Sequence, residues 1–166
     1  MQAKTLIVLA FVALALVLAG FLMYGSGSNS ARAANQTYVF QVNGKEFDIS
    51  LVAANQSSQE KGLMNMTIKN TTLMVFVFPS LGIYPFWMEN TYSNLDIMWL
   101  NISGGSGTVA YLVSNAISCV GKSTNWCEDN DYTPNTYANY VIEAKAGFAE
   151  ANNISVGTVV GLSRKS

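Results

Sequence analysis

The sequence predicts a small, mostly β domain, either a barrel or a sandwich, of about seven strands and two short helices. Two observations favour this class. Short apolar stretches alternate with turn-forming residues, and an Asn-Gly pair separates the first two of these stretches. The chain has 166 residues, and an apolar N-terminal segment removes part of that length, so one domain of roughly 130 residues remains.

The first two strands form the most specific local prediction. Residues 38–42 and 46–52 flank Asn43-Gly44, which readily adopts the positive φ angles of a type I′ turn. We therefore expect a β-hairpin here. A short helix should follow over residues 59–64, with Ser57 or Ser58 as its N-cap and Glu60 in its first turn.

The remaining strands follow from apolar runs between turn signals. Residues 73–78, LMVFVF, form a continuous apolar run that is typical of a strand buried on both faces. A glycine-rich loop at residues 103–107 should join two further strands. The full expectation is strands at 73–78, 95–100, 108–113, 137–144 and 156–162, with a helical turn or two at 146–152.

The N-terminal segment indicates export. Residues 5–24 carry no charge and are long enough, at about 1.5 Å per residue, to cross a hydrocarbon core of about 30 Å. Lys4 on the short side predicts that the rest of the chain lies outside the cytoplasm. The predicted organisation is a transmembrane anchor at 1–25, a flexible linker at 26–34 and an extracytoplasmic domain at 35–166. The alternative is a secreted protein, cleaved after the signal-peptide-like residues 31–33.

Glycosylation motifs and cysteines also favour an extracytoplasmic location. Six Asn-x-Ser/Thr sequons occur, more than random placement would give, at Asn35, Asn55, Asn65, Asn70, Asn101 and Asn153. Cys119 and Cys127 favour one local disulfide in an oxidising compartment. Metal ligation is the weaker alternative, since two thiols in a chain without histidine supply only half of a tetrahedral zinc site.

Charge excludes one class of partner. Only 11% of the residues are charged. From residue 35 onward there are seven Lys/Arg and ten Asp/Glu, so the net charge is 7 − 10 = −3. Without a basic stripe to neutralise phosphates, a nucleic-acid partner is not expected.

Several short motifs occur in an order that resembles the motif order of a known family. They are Gly62-Leu63-Met64, LMVFVF at 73–78, FWMENT at 86–91, Leu95-Asp96 and YVIEAKAG at 140–147. This order resembles the domain of unknown function 192 family. The resemblance implies a compact β-rich fold with short helices, often exported, and brings no established activity. Asn65 and Met66 stand where the family usually has an aromatic residue and an arginine, and Glu89 replaces a frequent lysine, so a ligand that depends on those cations is not implied.

Catalysis has little support in the residues. The chain has no histidine, which removes the Ser-His-Asp triad, and no cofactor or metal motif is present. A carboxylate-dependent hydrolase stays open because Glu89, Asp96 and Glu143 lie in the motifs. The structural alternative is that Asp96 accepts hydrogen bonds from backbone amides near residues 90–91 while Glu143 pairs with a surface cation.

Binding has more support. The ligand-binding candidates are Trp87, Glu89, Asn90, Thr91, Asp96 and Glu143, because rings stack on sugars or apolar groups and polar side chains orient hydroxyls. Further rings that could contribute are Tyr84, Phe86, Trp99, Trp126, Tyr132 and Tyr137.

The competing interpretation of the FWMENT motif is structural. Its three consecutive large apolar residues, 86–88, are also typical of a core plug. Trp126 lies beside Cys127 in a polar segment, so it is the candidate for an interaction surface. We expect a cell-envelope module that binds a glycan or small polar ligand. The alternatives are a cell-surface interaction protein without a pocket and the hydrolase.

Overall fold

The computed structural model describes residues 37–165, and these form one mixed β-sheet with three short helices. In chain order the elements are β1 Tyr38–Val42, β2 Lys45–Asp48, β3 Leu51–Ala53, α1 Gln56–Lys61, β4 Leu73–Gly82, β5 Leu95–Ser103, β6 Ser106–Ala116, α2 Thr124–Asp129, β7 Ala138–Lys145, α3 Phe148–Ala151 and β8 Val159–Arg164. The predicted anchor and linker lie outside the described residues. Within the described part, no helix has the length and apolarity to cross a membrane.

The sheet has eight strands in the order β2-β1-β8-β6-β5-β7-β4-β3 and curls into a half-barrel. The mostly β prediction is confirmed. The sandwich alternative is wrong, because all eight strands belong to a single hydrogen-bonded sheet. One more strand and one more helix are present than predicted, since the segment expected to be the second strand divides in two and a helix forms near the cysteines.

The predicted hairpin is confirmed. β1 and β2 pair antiparallel with Val42 opposite Lys45, and Asn43 and Gly44 have φ angles of 50° and 75°. The predicted strand 46–52 is interrupted, however. β2 ends at Asp48, and the amide of Ser50 donates to the Leu73 carbonyl at 2.9 Å. β3 then runs parallel to β4, so one bent segment supplies both outer strands of the curled sheet, β2 beside β1 and β3 beside β4.

Apolar side chains cover both faces of the sheet, as the continuous apolar runs predict. The first face carries Phe40, Val75, Met98, Leu100 and Ile142, and the second face carries Met74, Phe76, Ile97, Trp99 and Val141. Side chains along a strand alternate between the faces, and residues 95–100 of β5 are all buried. The middle of the sheet is therefore inaccessible to solvent from either side.

Helix α1 begins earlier than predicted. Asn55 is its N-cap and accepts from the Ser58 amide at 2.9 Å, while the Ser58 hydroxyl accepts from the Asn55 amide at 3.2 Å. This reciprocal capping box fixes the start of the helix, so the prediction of Ser57 or Ser58 as the cap is wrong. With the helix starting at Gln56, Glu60 does not lie in the first turn.

Two connections are more ordered than expected. The glycine-rich stretch 103–107 is a tight hairpin turn, with Gly104 at φ 60° and Gly105 at φ 87°. Cys119 and Cys127 form the predicted disulfide. Helix α2 begins between the two cysteines, includes Cys127 and ends at Asp129. Sequence patterns did not indicate α2, because it is only six residues long and includes polar residues throughout.

Candidate functional site

An open cleft of about 320 Å³ lies over the second face of the sheet, and we call it the aromatic cleft. It is formed by the side chains of α1, of β4 and of the segment that connects β4 to β5. Its lining consists of Gln59, Glu60, Phe76, Phe78, Tyr84, Pro85, Phe86 and Trp87. Five of these eight residues are aromatic, so the cleft offers mainly ring surface, and its two polar non-aromatic side chains, Gln59 and Glu60, belong to α1.

Neighbouring rings and backbone groups hold the aromatic walls in place. Phe78 and Tyr84 are stacked with centroids 3.6 Å apart, and Phe86 meets Phe76 edge-on at 4.7 Å. The indole N–H of Trp99 donates to the Tyr84 carbonyl at 2.8 Å, which ties the connecting segment to β5. These contacts preorganise the cleft, because the rings cannot rotate without losing them.

Glu143 lies at one end of the cleft, within the sheet. It points to the second face, where its strand neighbours are Met74 of β4 and Ile97 of β5. The residue is only 4% exposed, and its Oε2 atom has no hydrogen-bond partner among the described residues. Burial raises the pKa of this carboxyl from 4.5 to about 8, because the charged form loses its hydration. The predicted surface ion pair for Glu143 is wrong.

A void of about 20 Å³ adjoins the Glu143 carboxyl, and Gly62, Trp87 and Thr91 also line it. The void and the aromatic cleft share five lining residues, namely Gln59, Glu60, Phe76, Phe86 and Trp87. The two spaces are therefore adjacent, with the aromatic cleft on one side of these shared residues and the Glu143 carboxyl at the void.

Gly62 keeps the void open. It follows α1 with a φ of 46°, a conformation that favours glycine. A Cβ atom at this position would lie 3.7 Å from Glu143 Oε2 and 3.4 Å from the Phe76 ring, in the space beside the carboxyl. The glycine of the Gly62-Leu63-Met64 motif therefore serves both the turn and the site.

Asp96 lies on the opposite face from Glu143. In the β5–β7 register Asp96 is opposite Ala144, whereas Glu143 is opposite Ile97. Oδ1 of Asp96 accepts from the Asn115 amide at 2.9 Å, and Oδ2 accepts from the Ala149 amide at 2.8 Å. The predicted role as an acceptor for backbone amides is confirmed, but the partners belong to β6 and α3 instead of residues 90–91.

The other candidates in the FWMENT motif divide into two groups. Trp87 is half-buried and lines both the cleft and the void, and buried Thr91 also lines the void. Glu89 and Asn90 do not line either space. Glu89 Oε1 accepts from the Thr124 hydroxyl at 2.9 Å, and the Asn90 carbonyl accepts from the Asn65 amide at 2.8 Å. The structure thus brings together Trp87, Thr91 and Glu143.

The expected core plug at 86–88 is only partly present. Met88 is buried, whereas Phe86 and Trp87 are half-buried at the cleft. Trp99, predicted as a possible ligand-stacking ring, is fully buried in the core. Trp126 is 39% exposed on α2, and the ammonium of Lys122 lies 5.4 Å from its ring centre.

Sequence reasoning missed Gln59, Gly62, Phe76 and Phe78 as site residues. Phe76 and Phe78 are two apart on β4 and therefore point to the same face, but only the pairing of β4 with β7 reveals that this is the face of Glu143. The sequence shows that Phe76 and Phe78 share a face of their strand. It does not show the strand order, which places Glu143 on that same face.

A second depression, of about 660 Å³, lies on the first face, where Phe47, Leu73 and Phe148 line it together with several polar residues. Three of its polar side chains, Glu46, Asp48 and Asn152, have partners within the protein. Asp48 pairs with Lys165 at 2.8 Å, and the Asn152 side chain bonds both Phe148 and Lys45. The smaller aromatic cleft is the better candidate site, because it adjoins a buried polar atom that lacks a partner.

The single curled sheet, with short helices and connections over its second face, defines a small β-rich half-barrel domain. The chain belongs to the domain of unknown function 192 family, whose model, described as an uncharacterised ACR family, matches residues 38–162. A search of curated proteins finds no significant match.

Two solved bacterial structures resemble the fold. One is a protein from Sinorhizobium meliloti described as a candidate transcription regulator, with a TM-score of 0.61 and 23% identity over 78% of this chain and 92% of that protein. The other is a protein of unknown function from Novosphingobium aromaticivorans, with a TM-score of 0.61 and 20% identity over 84% of this chain and 99% of that protein. At these identities the likeness establishes the fold alone.

Proposed function

We propose that this protein is a binding module for a small polar ligand that carries an apolar or ring-shaped part. The observation that carries the proposal is that the aromatic cleft and the void beside Glu143 are adjacent and share five lining residues. Ligand sites commonly combine apolar walls with a few polar groups that fix orientation, and this arrangement has both.

Binding fits the geometry better than hydrolysis does. A glycosidase needs two carboxyl groups about 5 to 9.5 Å apart across a cleft. Glu143 and Asp96 point to opposite faces of the sheet, and both Asp96 oxygens accept backbone amides. Glu89 is engaged by Thr124 and does not line the cleft. Of the three candidate carboxylates, Glu89, Asp96 and Glu143, only Glu143 therefore lines the site.

Tryptophan fluorescence of the full chain, purified in detergent, tests the proposal. A panel of neutral sugars, small carboxylic acids and amines should include at least one compound that changes the emission saturably. The Trp126→Phe variant should keep this response, and Trp87→Phe should lose most of it, because Trp87 lines the cleft. A panel without any response, or a response that depends on Trp126 alone, would overturn the proposal.

We further propose that the module works outside the cytoplasm, tethered by its N-terminal apolar segment or secreted. The disulfide supports an oxidising location. The sequon asparagines of the described region are all exposed, as glycosylation requires, at Asn55, Asn65, Asn70, Asn101 and Asn153. Treatment with a glycosidase that removes N-linked glycans should increase the electrophoretic mobility of the protein from its native host.

The second candidate function is docking to a cell-surface protein through the segment around the disulfide. Ile117, Val120 and Trp126 are all exposed there, and large apolar side chains in solvent favour an interaction surface. In the fluorescence experiment this function predicts a response to a protein partner that Trp126→Phe abolishes and Trp87→Phe leaves unchanged.

A further inference from the structure

The ligand class follows from the shape and charge of the same site, and this step rests on the proposed function. We propose that the site binds a primary amine with a short apolar or aromatic tail, whose ammonium group occupies the void beside Glu143 while the tail lies in the aromatic cleft.

The size of the void selects the head group. About 20 Å³ is room for one water-sized group, since a single water needs roughly 10 to 15 Å³ measured in this way. An –NH₃⁺ group is close to water in size, whereas a trimethylammonium group is several times larger. The outer cleft of about 320 Å³ has room for a ring or a short alkyl chain.

The chemistry of the lining favours a donor that is also a cation. Glu143 Oε2 is an acceptor without a hydrogen-bond partner among the described residues, and an ammonium group supplies three N–H donors. Phe76, Phe86 and Trp87 line the void as well, and the faces of aromatic rings attract cations. A neutral hydroxyl could satisfy the carboxyl but would gain nothing from the rings.

The charges near the site have the matching sign. Glu60 lines both the cleft and the void, and Glu128 and Asp131 border a shallow depression on Pro85, Phe86 and Trp87. The one cationic residue in these linings is Lys61, which is exposed at the end of α1. A cationic ligand is therefore electrostatically complementary to this surface, and an anion is not.

Binding should be coupled to a proton. The titratable groups facing Glu143 are Glu60 and Lys61 from α1, since the strand neighbours are Met74 and Ile97 and the connecting segment contributes Phe86, Trp87 and Thr91. The pKa of about 8 means that the empty site holds a neutral carboxyl at pH 7. An arriving ammonium favours the carboxylate, so Glu143 releases one proton to solvent and the ammonium keeps its own three.

Calorimetric titration of the full chain tests the amine assignment and its proton coupling. The three probes carry the same phenyl ring and are 2-phenylethylamine, its N,N,N-trimethyl analogue and 2-phenylethanol. We expect the primary amine to bind at least tenfold more tightly than either other probe at pH 8. Its affinity should fall as the pH drops from about 8 to about 6, by up to tenfold per unit, as the proton linkage requires.

Variants separate the roles. Glu143→Gln should weaken amine binding at least tenfold and remove its pH dependence, while its affinity for 2-phenylethanol stays unchanged. Glu150→Gln, an exposed carboxyl that lines neither the void nor the cleft, is the matched control and should retain amine binding. Titration of the unaltered protein in buffers of different ionisation enthalpy should show up to one proton released, a readout that does not need the variant to fold.

The outcomes are distinguishable. Equal affinity for the amine and its trimethyl analogue, equal affinity for the amine and the alcohol, or no proton release would overturn the amine assignment. If 2-phenylethanol or a neutral sugar still binds through Trp87, the proposed binding function survives that result. If none of the three probes binds, the amine assignment fails, and if the wider panel gives no response either, both proposals fail.

Discussion

At the scale of single residues, burial of the Glu143 carboxyl destabilises the folded domain whenever this group is ionised. The carboxyl forms no salt bridge, and its Oε2 has no hydrogen-bond partner, among the described residues. A buried polar group without a partner costs roughly 1 to 3 kcal/mol, and more when it is charged. Such a group is expected at a binding site, where a ligand supplies the missing interaction.

The pH dependence of stability follows from this carboxyl. Its pKa is about 8 in the folded protein and 4.5 as the ordinary value, so between these pH values the folded state binds the extra proton. Stability therefore falls as pH rises through this window, by as much as a few kcal/mol, at about 1.4 kcal/mol per pKa unit. Below pH 4.5 the carboxyl is neutral in both states and its effect disappears.

Glu143→Gln should remove that dependence, because glutamine stays neutral. Urea unfolding of the unliganded protein at several pH values between 4.5 and 8 should give the variant a free energy of unfolding that increasingly exceeds the native value as pH rises. Glu150→Gln, an exposed carboxyl, is the control and should follow the native protein. Parallel pH profiles for the native protein and Glu143→Gln would contradict the assignment.

Asp96 differs from Glu143 in that both of its carboxylate oxygens accept hydrogen bonds from backbone amides. We expect Asp96→Asn to lower the free energy of unfolding by roughly 1.5 to 3 kcal/mol, the usual contribution of hydrogen bonds to a charged group. The loss arises because an amide offers only one acceptor oxygen to the Asn115 and Ala149 amides. Asp129→Asn on the exposed end of α2 should change stability by less than about 0.5 kcal/mol. A ligand titration would be unaffected, because Asp96 lies on the other face of the sheet.

At the scale of elements, the disulfide segment supports one wall of the aromatic cleft. The Phe86 amide donates to the Tyr132 carbonyl at 3.1 Å, and the Tyr132 amide donates back at 2.7 Å. The Thr124 hydroxyl adds a bond to Glu89. The Thr124 bond attaches the FWMENT segment to the loop that the Cys119–Cys127 bridge closes, and the Tyr132 bonds attach it to the chain just beyond that loop. The bridge therefore helps to hold this wall of the cleft.

Replacing both cysteines by alanine should lower the free energy of unfolding by about 2.5 kcal/mol, from the loop-closure entropy of a bridge between residues eight apart. Chemical denaturation measures this loss. The unaltered protein under a strong thiol reductant should lose a similar amount, which separates the effect of the bridge from that of packing. If the double variant matched the oxidised protein in stability, the segment would be held by its hydrogen bonds alone.

At the scale of the whole molecule, the sheet is most stable at its centre. β5 and β7 each have strands on both sides and are buried on both faces, while β2 and β3 lie at the two ends of the strand order. The bend at Ile49-Ser50 joins those two terminal strands, with one amide bonded to β1 and the next to β4. The curled sheet therefore depends on a short segment at its most exposed margin.

Amide hydrogen exchange should reveal this gradient. We expect the amides of β5 and β7 to exchange slowest and those of β2 and β3 to exchange orders of magnitude faster, because local opening needs far less free energy than global unfolding. Mass-spectrometric exchange with peptide resolution measures both sets in one sample. Equal protection of all strands would mean that the margin opens only when the whole domain unfolds.

Local patterns in the sequence determined much of this protein. The Asn43-Gly44 hairpin, the buried strand that begins at Leu73 and the disulfide all follow from interactions between residues close in the chain. The motifs also identified the family and placed Trp87, Thr91 and Glu143 among the candidate residues. Each of these features depends on backbone preference, side-chain alternation or residue type, which sequence carries directly.

Only the tertiary structure decided how those features combine. Strand order places Phe76 and Glu143 on one face and Asp96 on the other, and the bend at Ile49-Ser50 makes two strands of one predicted strand. The fold also buries Glu143, which therefore does not form the surface ion pair that its sequence context allowed. Pairing between strands far apart in the chain depends on packing of the whole domain, and the local sequence does not specify which distant strand each one meets.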